Sequence, residues 1–163
     1  MKSKDLNQLV SVYKKQLQKG DIQAAYTQLV KYIQKLKTHF SRELKSSYTC
    51  GNILQGYMDY TYFYLSNSYL NKSKLKLGLV LNHEKIRFEL WLLGQTRDIQ
   101  EKYWHLLRKT KWITQSEIPL YSIFEVVLVD EPDFSDLDLL TVKIQQSLTA
   151  VSSEIIATLK TLK

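Results

Sequence analysis

LKLGLVLNHEKIRFELWLLG, residues 75–94, is the stretch whose reading decides the fold. Two runs of alternating side chains flank NHEK (Asn82–Lys85), the pattern of two antiparallel strands joined by a short turn. With that tip, Leu81 is expected opposite Ile86, Leu79 opposite Phe88, Leu77 opposite Leu90 and Leu75 opposite Leu92. One face is then wholly apolar and belongs in a core, because a slip of one residue would expose every one of these side chains. The other face sets Val80 against Arg87, Gly78 against Glu89 and Lys76 against Trp91.

The same stretch holds His83, Glu84 and Glu89, which invites a catalytic reading. His83 and Glu84 belong to the tip, whereas Glu89 is mid-strand. At ~3.3 Å per residue the separation exceeds about 15 Å, so the three do not act together. The second face is the more informative. Arg87, Glu89 and Trp91 point the same way, and Gly78 leaves space among them. A preceding strand adds either Asp59 with Tyr57 and Thr61, or, in the other register, Tyr60, Tyr62 and Tyr64. Polar groups in mid-sheet flanked by aromatics suit a shallow ligand site. Asp59, Arg87, Glu89, Trp91 and Tyr57 are therefore the candidate ligand-binding residues. The plainer alternative pairs Arg87 and Glu89 with neighbours such as Lys76 on a partly solvated face.

Outward from the hairpin, helical spacing opens the chain. Leu6, Leu9, Val10, Tyr13 and Leu17 form one stripe, broken by Lys19–Asp21, where Gly20 suits a helix end and Asp21 a helix start. A second stripe runs from Ile22 through Tyr26, Ile33, Leu36 and Phe40 to Leu44, so the two predict an antiparallel helical hairpin. Residues 50–65 are rich in Tyr and Phe and read as one strand, bent near Gly56. A helix is predicted over about 96–109 and a strand over 122–129. The acidic run Asp130–Asp138 reads as the start of a final helix, capped by Asp133 or Ser135. That helix carries Leu137, Leu140, Ile144, Leu148, Val151, Ile155 and Leu159 at spacings of three and four. The prediction is an α+β fold in the order ααβββαβα, mainly antiparallel, with helices packed on the sheet and a long C-terminal helix.

At 163 residues the chain suits a single domain, residues 1–163. A hydrophobic content of 44% with 24% charged residues argues against disorder. The single cysteine, Cys50, excludes an internal disulfide and a cysteine-rich zinc site. There is no phosphate loop, nucleophile elbow or dinucleotide fingerprint, so neither a metal nor a cofactor is expected. The start of the chain lacks the apolar core of a secretory signal, and no stretch approaches a membrane span; a cytoplasmic protein is the expectation. The formal net charge of +7 is unevenly spread, with 20 Lys and Arg against 8 Asp and Glu over residues 1–116 and 3 against 8 beyond. A basic body of this kind attracts polyanions, or is partly neutralised by the acidic last helix folding back on it.

QGYMDYTYF (Gln55–Phe63), LVLNHEKIRFELWLLG (Leu79–Gly94), QEKYW (Gln100–Trp104) and LVDEPDFSDLD (Leu128–Asp138) resemble the matching segments of an uncharacterised family of small bacterial proteins, a domain of unknown function. The resemblance runs nearly the whole chain and implies no activity. In element order the chain is also distantly similar to restriction-endonuclease-like nucleases. These hold a metal with an acid on the second core strand and a Glu/Asp-x-Lys on the third. Here Glu89 is followed by Trp91 where Lys is expected, LKLGLVL has no acid, and Asp59 lies on the preceding strand. The expected function is a non-catalytic ligand- or partner-binding domain. Nucleic-acid association is the alternative, then a metal-dependent hydrolase, degenerate or active, centred on Asp59 and Glu89. The stripe of the last helix would serve either the sheet or a twin subunit in a homodimer.

Overall fold

The computed structural model describes residues 5–162, so the basic start Met1–Lys4 lies outside the described residues. The elements are α1 (Leu6–Lys19), α2 (Asp21–Glu43), β1 (Thr49–Leu54), β2 (Tyr60–Ser66), α3 (Ser68–Lys72), β3 (Leu75–Asn82), β4 (Arg87–Gly94), α4 (Arg97–Leu107), β5 (Phe124–Val129) and α5 (Leu137–Thr161). The five strands pair antiparallel in sequence order, a meander with no crossover. The protein is α+β, with a long C-terminal helix, as the alternation of apolar residues requires.

The core follows from the pleat. Phe63 and Leu65 of β2, Leu75, Leu77, Leu79 and Leu81 of β3, and Phe88, Leu90 and Leu92 of β4 share one face and are fully buried. Against that face lie α2, over β1 and β2, and α5, over β4 and β5. From α2 come Ile33, Leu36 and Phe40; from α5 come Leu140, Ile144, Leu148, Ile155 and Leu159. The stripe expected to serve either sheet or partner is thus spent on the protein's own sheet. Trp104 and Leu107 of α4 join the same core.

Several sequence expectations shift. Residues 50–65 are two strands rather than one bent strand. Gly56 and Met58 take left-handed backbone (φ 69° and 64°), which turns the chain back on itself. A Cβ at Gly56 would sit 2.2 Å from the Tyr60 carbonyl, so only glycine fits that turn. An additional short helix, α3, is capped by Asn67, whose side chain accepts from the Leu70 amide; the observed order is therefore ααββαββαβα.

The β3–β4 register is displaced by two residues from the expected one. Leu81 faces Phe88, Val80 faces Glu89 and Gly78 faces Trp91, while Ile86 (φ 45°) leaves the strand for the turn. Asn82 makes that turn by accepting from the Lys85 amide. A shift of two leaves every side chain on its expected face.

At the N-terminus, α1 and α2 share Gly20 (φ 80°) as their whole connection. No residue of α1 is buried, and Leu6, Leu9, Val10 and Tyr13 stay exposed. Two helices packed side by side generally need a loop of about two to five residues, so the expected helical hairpin does not close. Asp21 is the first helical residue rather than the cap. Likewise α5 is capped by Asp136, which accepts from the Leu139 amide, while Asp133 accepts from Ser135.

The contrast between α5 and α1 is testable by chemical denaturation. Ile144→Ala is expected to lower the unfolding free energy by about 2–5 kcal/mol, because a fully buried side chain leaves a cavity. Leu9→Ala is expected to change it by less than about 0.5 kcal/mol.

Candidate ligand-binding cleft

No helix is stacked on the middle of the other sheet face, and there the sequence places an unusual set. Alternation brings Tyr60, Tyr62 and Tyr64 of β2, Gly78 and Val80 of β3, and Glu89, Trp91 and Leu93 of β4 to this side. Val80, Trp91 and Leu93 form a small second apolar cluster with the three tyrosines packed over them. The rings meet edge to face: Tyr60 on Trp91 at 4.9 Å and Tyr62 on Tyr64 at 5.4 Å between centroids. Between them opens a cleft of about 350 Å³. Gly78, Val80 and Leu93 floor it; the tyrosines and Trp91 wall it; Tyr57, Asp59 and Tyr121 stand at its rim. Gly78 keeps it open, since a Cβ there would meet Leu93 at 3.2 Å and Tyr64 at 3.8 Å, and anything longer would project into the space.

Glu89 lies beneath this wall and is fully buried. A buried carboxylate is costly unless paired and hydrogen-bonded. Three donors meet that need: Arg87 Nε to Oε1 at 2.5 Å, Asn82 Nδ2 to Oε1 at 3.3 Å, and Trp91 Nε1 to Oε2 at 2.7 Å. The last of these fixes the indole plane, so the charge network orients one wall of the cleft. Arg87, rather than Lys76, is the partner of Glu89. Lys76 lies instead over the Tyr64 ring, 3.6 Å from its centroid, where burial holds its pKa below the ordinary lysine value. Across β4, Glu125 of β5 stands opposite Trp91. Burial of its carboxyl pushes the Glu125 pKa up, against the effect of a hydrogen bond from Ser122. Burial, and then the carboxylates of Glu125, Glu89, Asp59 and Glu84, push the Tyr60 hydroxyl up as well.

Of the five candidates from the sequence, Tyr57, Asp59 and Trp91 come together at the cleft, while Glu89 and Arg87 form the pair that holds Trp91. Residues of both possible registers of the preceding strand reach the cleft, Thr61 excepted. Tyr60, Tyr62 and Tyr64 face the cleft from β2, and Asp59 and Tyr57 reach it from the turn before β2. Asp59 is committed locally, accepting from the Tyr57 and Tyr60 amides at 2.8 and 2.7 Å, which holds its pKa down. Neither Tyr121 nor Glu125 is among those five candidates. Tyr121 lies in an irregular loop without periodicity, whereas the alternation of FEVVLV would have placed Glu125 on the outer face.

His83 and Thr61 fall on the opposite side. The Thr61 hydroxyl donates to the Gln55 carbonyl, so His83 Nε2 is the donor in their 2.7 Å contact, and Tyr26 of α2 packs on the imidazole. The His83 amide donates to the Asp59 carbonyl at 2.9 Å. His83 therefore ties the two hairpin turns together and takes no part in the cleft. Among the described residues, no group of three His, Cys, Asp or Glu side chains converges in a way that would hold a metal ion, and no helix is long and apolar enough to cross a membrane.

These features define an α+β domain with a five-stranded antiparallel meander, covered by two long helices on one face and bearing an aromatic cleft on the other. The chain belongs to the family described as domain of unknown function (DUF7000), whose model matches residues 6–159. Neither the curated proteins nor the solved structures contain a match to it.

Two outcomes are expected from the polar contacts. Arg87→Ala leaves the Glu89 charge buried without its cation and is expected to cost about 3 kcal/mol in unfolding experiments. Burial holds the His83 pKa below its ordinary value, against the opposing pull of Asp59. At about pH 7.5 and above the ring is essentially neutral in both folded and unfolded chains. Below that value the unfolded chain takes up its proton first, so stability falls as pH falls until the folded ring titrates too. In urea unfolding at a series of pH values, His83→Gln is expected to lose that part of the slope.

Proposed function

We propose that this protein is a non-catalytic ligand-binding domain of the bacterial cytoplasm and that the aromatic cleft is its site. The observation that carries the reading is the cleft itself: a preformed concavity with an apolar floor and aromatic walls, one wall fixed by a buried carboxylate. Small-molecule sites are mostly apolar with a few oriented polar groups, and this face has that composition. The carboxylates of Asp59 and Glu89 are each engaged by donors of the protein itself, which supports binding over hydrolysis. A homodimer through α5 would have to use Leu139 and Val142, which remain exposed on that helix.

A second reading has its own observation. Lys31, Lys35 and Arg42 of α2 flank a shallow groove with Thr38 and His39, a basic surface on which nucleic acid would settle. Binding there would weaken steeply with salt, in proportion to the number of phosphates neutralised.

The two readings separate in one experiment. A library of small aromatic and aliphatic compounds is titrated against the protein while the Trp91 indole signal is followed by NMR. A ligand that shifts Trp91 is expected, and Gly78→Val, which fills the cleft floor, is expected to weaken it by more than about tenfold. Compounds that leave Trp91 unmoved, together with salt-dependent shifts along α2 on adding oligonucleotide, would favour the second reading.

A further inference from the structure

We infer that the cleft takes an organic cation, an alkylammonium group seated at the aromatic end formed by Tyr60, Trp91 and Tyr121. This rests on the cleft being a binding site and names the class of ligand. Tyr60 meets both Trp91 (4.9 Å, 67°) and Tyr121 (6.5 Å, 73°) edge to face, so three rings gather at one end of the cleft. Ring faces carry partial negative charge, and a cation within about 6 Å of a centroid is attracted to them.

The charge around this end agrees. The carboxylates of Glu125, Glu89, Asp59 and Glu84 all lie near enough to act on the Tyr60 hydroxyl. Arg87 and Lys85 lie on the same side, near Glu125. Acidic groups predominate around the Tyr60 hydroxyl, within a chain that is positive overall. At the other end the protein supplies its own example, since Lys76 already lies on the face of Tyr64. An ammonium at the acidic end would repeat that contact with Tyr60, and the floor of Val80 and Leu93 would receive its alkyl body. Tyr121 and Tyr57 are exposed at the rim.

The test compares three probes of matched shape on the full chain, by calorimetry and by the Trp91 indole NMR signal. They are choline, its neutral carbon isostere 3,3-dimethylbutanol, and the anion 3,3-dimethylbutanoate. Choline is expected to bind at least about tenfold more tightly than the neutral isostere, a difference of about 1.4 kcal/mol, and the anion more weakly still. Tyr121→Ala, at a position 60% exposed and therefore harmless to the fold, is expected to weaken choline severalfold while leaving stability unchanged. Glu125→Gln is expected to reduce the gap between choline and its isostere. Equal binding of the neutral isostere, or preference for the anion, would overturn the cation assignment and leave the cleft as a binding site. If none of the three moves Trp91 while other compounds do, the cation assignment falls alone. If no compound moves it, both readings fall.

Discussion

The pleat of β3 and β4 is the constraint from which the rest of the molecule follows. Seven apolar side chains, Leu75, Leu77, Leu79 and Leu81 with Phe88, Leu90 and Leu92, alternate onto one face and are buried under α2 and α5. At about 1.5–3 kcal/mol for each side chain, turning that face outward would cost on the order of 10 kcal/mol. No hydrogen bond or ion pair in the sheet competes with that. The positions between them are therefore driven to the other face whatever their chemistry, and Gly78, Val80, Glu89, Trp91 and Leu93 meet there as a consequence.

That second face sets a physical problem, because Val80, Trp91 and Leu93 are apolar and no helix shields them. Tyrosine solves it. Tyr60, Tyr62 and Tyr64 pack against this cluster, each joining an apolar ring to a polar hydroxyl. Glu89 sets a second problem, and Arg87, Asn82 and Trp91 answer it with three donors. The same contacts that make the buried charge tolerable hold the indole still. The cleft is thus formed before any ligand arrives, which lowers the ordering cost of binding.

The turns divide the labour around this face. The β3–β4 turn sends His83 toward Thr61 and Tyr26 on the helix side, where it locks against the β1–β2 turn through the Asp59 carbonyl. The β1–β2 turn in return carries Tyr57 and Asp59 to the cleft rim on a backbone that Gly56 alone permits. His83, Glu84 and Glu89, adjacent in sequence and suggestive of catalysis, end with separate tasks on different parts of the sheet.

Alternation and helical spacing in the sequence determined the α+β class, the face on which each residue of β3 and β4 lies, the long final helix and three of the cleft's residues, Tyr57, Asp59 and Trp91. These were legible because burial energy acts residue by residue and depends only on parity and period. The absolute register of the hairpin was not, since a shift of two costs no burial and is settled by the Asn82 turn and the Glu89 hydrogen bonds. Nor was the exposure of α1, which depends on a one-residue connection too short to bring its stripe onto α2. Tyr121 entered the cleft from a loop with no period to read. Whether the polar face was open or covered lay beyond local patterning as well, because it depends on where α2 and α5 find their largest apolar surface, and only the assembled sheet decides that.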